Sequence, residues 1–92
     1  MVIKVKYTAQ LKKTTGTAEE IITVPENISL DETLHILSAH YKDNFHKMIF
    51  NEDNEFSNSI VPVVNGRQIR MEDNILLKDG DELLLLSPIA GG

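Results

Sequence analysis

The stretch Asp79-Gly80-Asp81-Glu82-Leu83-Leu84-Leu85-Leu86-Ser87 decides the fold. An Asp-Gly turn dipeptide releases four consecutive leucines, and an unbroken apolar run of that length predicts a strand over residues 82–86 with apolar surroundings on both faces. Such a strand is central in its sheet.

Upstream, Ile3, Val5, Tyr7, Ala9 and Leu11 alternate with Lys4, Lys6, Thr8 and Gln10. That period of two predicts a first strand with one buried face. Residues 12–17, a polar cluster containing Gly16, read as a turn, and residues 19–24, rich in β-branched side chains, read as a second strand. The two form a hairpin. After the break at Pro25, Ser29 and Glu32 stand three apart in a capping-box pattern, and Leu30, Leu34, Leu37 and Tyr41 recur at helical spacing. They predict a helix over residues 30–42, with a further turn or short helix near residues 43–49. Residues 51–59 are polar and read as a loop. Residues 60–64 form the next strand, in which Pro62 implies an edge or bulge position because proline cannot donate to the ladder. Asn65-Gly66 is a hairpin turn leading to a short strand over residues 68–70, and Asp79-Gly80 is a second such dipeptide. A hairpin, a main helix on one face and further strands of a mixed sheet make an α+β fold, and the β-grasp is its most familiar version.

One helical layer covers one face of the sheet, yet alternate leucines of residues 83–86 point to the other. Two arrangements account for the apolar surface left over. Phe45, Met48, Ile49, Phe50 and Phe56 fold back to cover it, or it stays open and docks a partner, with Leu84 and Leu86 as the contact residues.

Ninety-two residues support a single small core. The net charge of -5 disfavours nucleic acid, which requires a concentrated basic surface, and suits a partner whose docking surface is basic. There is no cysteine, which removes disulfides and thiolate nucleophiles; any thiol must be supplied by another protein. No signal peptide or membrane-spanning run is legible, so the expected location is the cytoplasm. His35 and His40 differ by about 140° around a helix and cannot converge on one metal. Glu52, Asp53 and Glu55 read as a solvated loop. With no nucleophile elbow, no phosphate loop and no spaced carboxylate pair, the expectation is a chain with no catalytic site of its own and no permanently bound cofactor or metal. What remains is Pro88-Ile89-Ala90-Gly91-Gly92, whose two terminal residues lack side chains and fit a slot too narrow for others. The organisation expected is a folded body over residues 1–87 and a flexible reactive tail over residues 88–92.

The sequence resembles the small sulfur-carrier subunit of molybdopterin synthase, within the MoaD/ThiS ubiquitin-like group. The resemblance rests on residues 3–11, on Val63-Val64-Asn65-Gly66-Arg67, on Asp79-Gly80-Asp81-Glu82 and on Pro88-Ile89-Ala90-Gly91-Gly92. It departs from the group at Leu86-Ser87-Pro88, where Phe-Pro-Pro is frequent, and at Thr8, where an aromatic residue is common. The resemblance implies that an E1-like adenylating enzyme consumes ATP to activate the Gly92 carboxyl. A persulfide donor then converts the acyl adenylate to a thiocarboxylate, and the sulfur passes to a pterin precursor in the large synthase subunit. It also implies that Gly91 and Ala90 keep the tail slim, while Ile89 and Pro88 guide it. Extended, residues 88–92 span at most roughly 17 Å. The same activated end suits attachment to lysines of other proteins, or sulfur supply to tRNA thiolation or thiamin synthesis. A passive β-grasp interaction module is the remaining alternative.

Overall fold

The computed structural model describes residues 1–87. In chain order the elements are β1 (Val2–Tyr7), α1 (Ala9–Thr15), β2 (Glu19–Thr23), α2 (Leu30–Tyr41), α3 (Asp43–Ile49), β3 (Val61–Val64), β4 (Arg67–Gln68), a 3₁₀ turn at Met71–Asp73, and β5 (Glu82–Leu86). The strands form one mixed sheet in the order β2-β1-β5-β3-β4. The leucine strand is central, as its composition predicts. It runs parallel to β1, with Lys6 opposite Leu84 and Tyr7 opposite Leu85, and antiparallel to β3, with Val63 opposite Leu84 and Val61 opposite Leu86.

The first strand ends earlier than its alternation suggests. Residues 9–15 form a helix in place of the expected strand end and turn. Ala, Gln, Leu and Lys are good helix formers, extended Thr8 precedes the helix, and Gly16 closes it in the left-handed conformation at φ 79°. Leu11, the one buried residue of α1, is fully enclosed by the core. The chain therefore crosses from β1 to the antiparallel β2 through a helix rather than a tight hairpin.

Helix α2 starts as read: Glu32 N–H donates to Ser29 Oγ at 3.1 Å, and Ser29 N–H donates back to the Glu32 carboxylate at 3.4 Å. Two otherwise unpaired amides are thereby satisfied. The helix stops at Lys42, whose backbone, at φ 66° and ψ -145°, turns the chain directly into α3.

Asn65 and Gly66 take φ 51° and 83°, the left-handed pair that a two-residue hairpin requires. The strand beyond is Arg67–Gln68 rather than residues 68–70, although Ile69 N–H still donates to Pro62 O at 2.9 Å. Since a strand residue presents N and O on the same side, the missing Pro62 N–H faces this short outer strand and leaves the β5 ladder intact. The Asp79-Gly80 turn joins no hairpin. Gly80 N–H donates to Val2 O at 2.8 Å and Val2 N–H to Asp79 Oδ1 at 2.7 Å, so the turn docks on the start of β1 and feeds β5 alongside it.

Ile3, Val5, Leu83 and Leu85 gather in one core with Leu11 of α1, Leu30, Leu34 and Leu37 of α2, and Phe45 and Ile49 of α3. The Phe45 ring meets Tyr7 edge-on at 6.1 Å. The aromatic residues after α2 thus deepen the helical side of the sheet and do not fold over the other face.

Candidate functional site

The far face of the sheet follows from strand register. Lys4 and Lys6 of β1, Glu82, Leu84 and Leu86 of β5, and Val61 and Val63 of β3 alternate with the core residues and project to the opposite side. None of these residues belongs to the core cluster or packs against it. Leu86 is 38% exposed, while Leu84, Val61 and Val63 are half-buried among themselves. Beside this apolar strip, Lys6 Nζ pairs with Glu82 Oε1 at 2.6 Å. That hydrogen bond raises the Lys6 ammonium above its ordinary range and holds the Glu82 carboxyl below its own. Both groups are therefore charged at neutral pH, and the strip has an ionic border on its β1 side.

At the end of β5 the chain is tied down. Ser87 N–H donates to Thr8 Oγ1 at 3.0 Å, and Ser87 Oγ donates to Thr8 O at 2.5 Å. Thr8 Oγ1 in turn donates to Leu85 O at 3.2 Å, and Leu11 N–H donates to Ser87 Oγ at 3.3 Å. Each hydroxyl both gives and receives. These residues follow the parallel strands β1 and β5 directly, so the pairing that aligns the strands also brings the two side chains together. Their link to the tail is absent from any local sequence pattern; the available signal is two small hydroxyl residues placed just beyond neighbouring strands.

Of the expected site residues, Leu84 and Leu86 lie on the open strip, in β5 just ahead of Ser87. Pro88, Ile89, Ala90, Gly91 and Gly92 lie outside the described residues. The histidines are on the opposite side of the molecule. His35 stacks on Phe50 at 4.5 Å, His46 meets the same ring at 5.1 Å, and Ser38 Oγ lies 2.5 Å from His46 Nδ1. Ser38 is a buried α2 residue, and the contact joins α2 to α3. Glu52, Asp53 and Glu55 are exposed; the amides of Asp53 and Glu55 donate to Asn51 Oδ1, which shapes the loop from within. Among the described residues no group of three or more acidic or histidine side chains is placed to hold a metal, and no helix is long and apolar enough to cross a membrane.

The sequence profile of the ThiS family matches residues 5–92, nearly the whole chain and including the glycine pair. The chain belongs to the ThiS family. Solved structures similar to this ThiS-family chain span its full body. Small archaeal modifier protein 1 of Methanosarcina acetivorans is 30% identical with a TM-score of 0.80, covering 99% of this chain and 96% of its own. A Pyrococcus furiosus protein provisionally named molybdopterin converting factor subunit 1 is 27% identical with a TM-score of 0.77, over 97% and 99% of the two chains. The modifier protein of Haloferax volcanii, at 23% identity, shares the fold with a TM-score of 0.87 over 100% of both. None of the curated proteins compared with the chain matches it by sequence. The ThiS-family chain is thus a β-grasp protein of the ubiquitin-like sulfur-carrier and modifier group, with a mixed sheet, its helices on one face and an open apolar strip on the other.

Proposed function

We propose that this protein is a sulfur carrier whose Gly92 carboxyl is the reactive group, and that it serves as the small subunit of molybdopterin synthase. A C-terminal carboxylate is ionised at neutral pH and is a poor electrophile. Activation makes it reactive. One carboxylate oxygen attacks the α-phosphorus of ATP on an E1-like enzyme, pyrophosphate leaves, and a mixed acyl-phosphate anhydride results. The terminal sulfur of a persulfide attacks the acyl carbon, and AMP departs with the former carboxylate oxygen. A second thiol of the donor then attacks the sulfur still joined to the carbonyl-bound one. A disulfide forms on the donor and the thiocarboxylate is released on Gly92.

The family match that runs through Gly91 and Gly92 carries this reading. The strip of Leu84 and Leu86 supports it physically, because a body docked by that strip leaves residues 88–92 free to enter a partner's pocket. Gly91 and Ala90 keep the tail narrow, and Ile89 and Pro88 sit nearest the pocket mouth. The likeness to the Pyrococcus furiosus protein supports the molybdopterin branch.

A second use of the same end is attachment to lysines of other proteins, favoured by the 30% identity to the Methanosarcina acetivorans modifier protein. Incubation of the pure protein with cell extract, ATP and a sulfide source separates the two. Intact mass spectrometry should show Gly92 gaining the mass difference between sulfur and oxygen, and the loaded protein should convert pterin precursor when mixed with the large synthase subunit. ATP-dependent ladders of heavier products with no sulfur gain would instead establish the modifier alone.

A further inference from the structure

We infer that Thr8 and Ser87 are positioning residues that fix the pivot from which residues 88–92 depart and so set the direction in which Gly92 is delivered. The inference rests on Gly92 being the reactive end, as proposed above.

The chemistry of the knot makes it a pivot rather than an ordinary surface contact. Ser87 has both its amide and its hydroxyl engaged by one residue, Thr8, at 3.0 and 2.5 Å. Two bonds to a single partner fix the orientation of the Ser87 backbone as well as its position. The knot is then braced on each side. Thr8 Oγ1 bonds the carbonyl of Leu85 in the buried centre of the sheet, and Ser87 Oγ receives the amide of Leu11, whose side chain is fully buried. A strand end held only by its ladder frays at low free-energy cost. Here the last ladder position is followed by a residue anchored to both the sheet and the first turn of α1.

The ladder alone does not accomplish this. On the β1 side, pairing of β5 ends at Leu85 opposite Tyr7; on the β3 side it ends at Leu86 opposite Val61. Ser87 lies beyond both. Without the knot the pivot retreats to Leu86, and the tail gains one residue of slack with no fixed direction. Leu84 and Leu86, held by β3, remain in place. Docking and delivery are therefore separable in this fold: the open strip governs whether the partner binds, and the knot governs how often a docked carrier has its terminus aligned. Misalignment of a reacting atom by about 1 Å is enough to cost up to a hundredfold in rate.

Thr8 gives the cleaner test, because it lies 79 residues from Ser87 and its replacement leaves the tail sequence unchanged. Thr8→Val keeps the shape and removes the hydroxyl; Thr8→Ser restores it. Two quantities are measured: amide hydrogen exchange at Ser87 in the free protein, and kcat and KM for ATP-dependent adenylation by the organism's own adenylating enzyme, at a temperature where all variants are folded. Thr8→Val should speed Ser87 exchange and lower kcat about three- to tenfold with KM within about twofold, and Thr8→Ser should recover both. Unchanged Ser87 exchange overturns the knot. A kcat within about 1.5-fold of the parent, a loss carried by KM, or a Thr8→Ser variant as impaired as Thr8→Val overturns the positioning role. A parent protein that no adenylating enzyme accepts removes the functional reading itself and this role with it.

Discussion

Tyr7 of β1 and Tyr41 of α2 donate their hydroxyls to the same carboxylate oxygen, Oε2 of Glu20 on β2, with their rings edge-on at 6.0 Å. Strand, strand and helix are thus joined at one atom. Burial, followed by the bond to Glu20, raises both phenols, with Tyr41 pushed up to about 12.

A pH dependence follows from these two groups. A folded-state pKa above the ordinary 10.0 contributes stability that is complete below pH 10 and is lost as pH rises through the folded value. The chain contains two tyrosines and no tryptophan, so tyrosinate absorbance reports only this pair. Titration should show no tyrosinate at pH 10, followed by its appearance together with loss of circular dichroism toward pH 12. Ordinary titration of either phenol near 10 with the fold intact would contradict the arrangement.

Leu86→Asp should separate folding from partner recognition. The side chain is 38% exposed on the open strip and belongs to no core contact, so the melting temperature should move little. A charge set into an apolar contact should raise KM for adenylation, or Kd for synthase assembly, at least about tenfold. Unaltered partner binding would remove the strip as a docking surface.

Lys42→Gly should stabilise the protein. At φ 66° and ψ -145°, Lys42 lies at the border of a region essentially reserved for glycine. Relief of that strain exceeds the added freedom of the unfolded chain, for a net gain of about 0.5–1 kcal/mol in urea denaturation. Destabilisation would mean that the lysine side chain holds the junction between α2 and α3.

Leu11→Ala should cost about 2–5 kcal/mol, read by the same denaturation, because it empties a fully enclosed site. A strand residue at the fraying end of a sheet, as the alternation of residues 3–11 suggests, would cost far less. The measurement therefore also tests α1.

Those residues mark where local pattern and structure part. Tyr7, Ala9 and Leu11 alternate as a strand does, and a seven-residue helix with a single buried side chain is too short to impose a competing period. Its signals were at its ends, Thr8 before and Gly16 after. The long helix was legible because Leu30, Leu34 and Leu37 repeat and Ser29 and Glu32 cap it reciprocally. Four leucines in succession were enough to place β5 at the centre. The choice between a covered and an open far face depended on where Phe45 and Ile49 pack, a tertiary matter that spacing does not encode. The knot of Thr8 and Ser87 joins positions 79 apart and arises only when β1 and β5 align in parallel.

The place of β5 between β1 and β3 also bears on how the protein comes into being. Strands made first cannot close the core until the strand adjoining Pro88 has been synthesised, since Leu83 and Leu85 fill its middle. Pairing of this kind, between distant parts of a chain, is slow and comes late. A nascent chain that lacks β5 accordingly has neither the apolar strip nor the Thr8–Ser87 knot, and both form together when β5 pairs with β1 and β3.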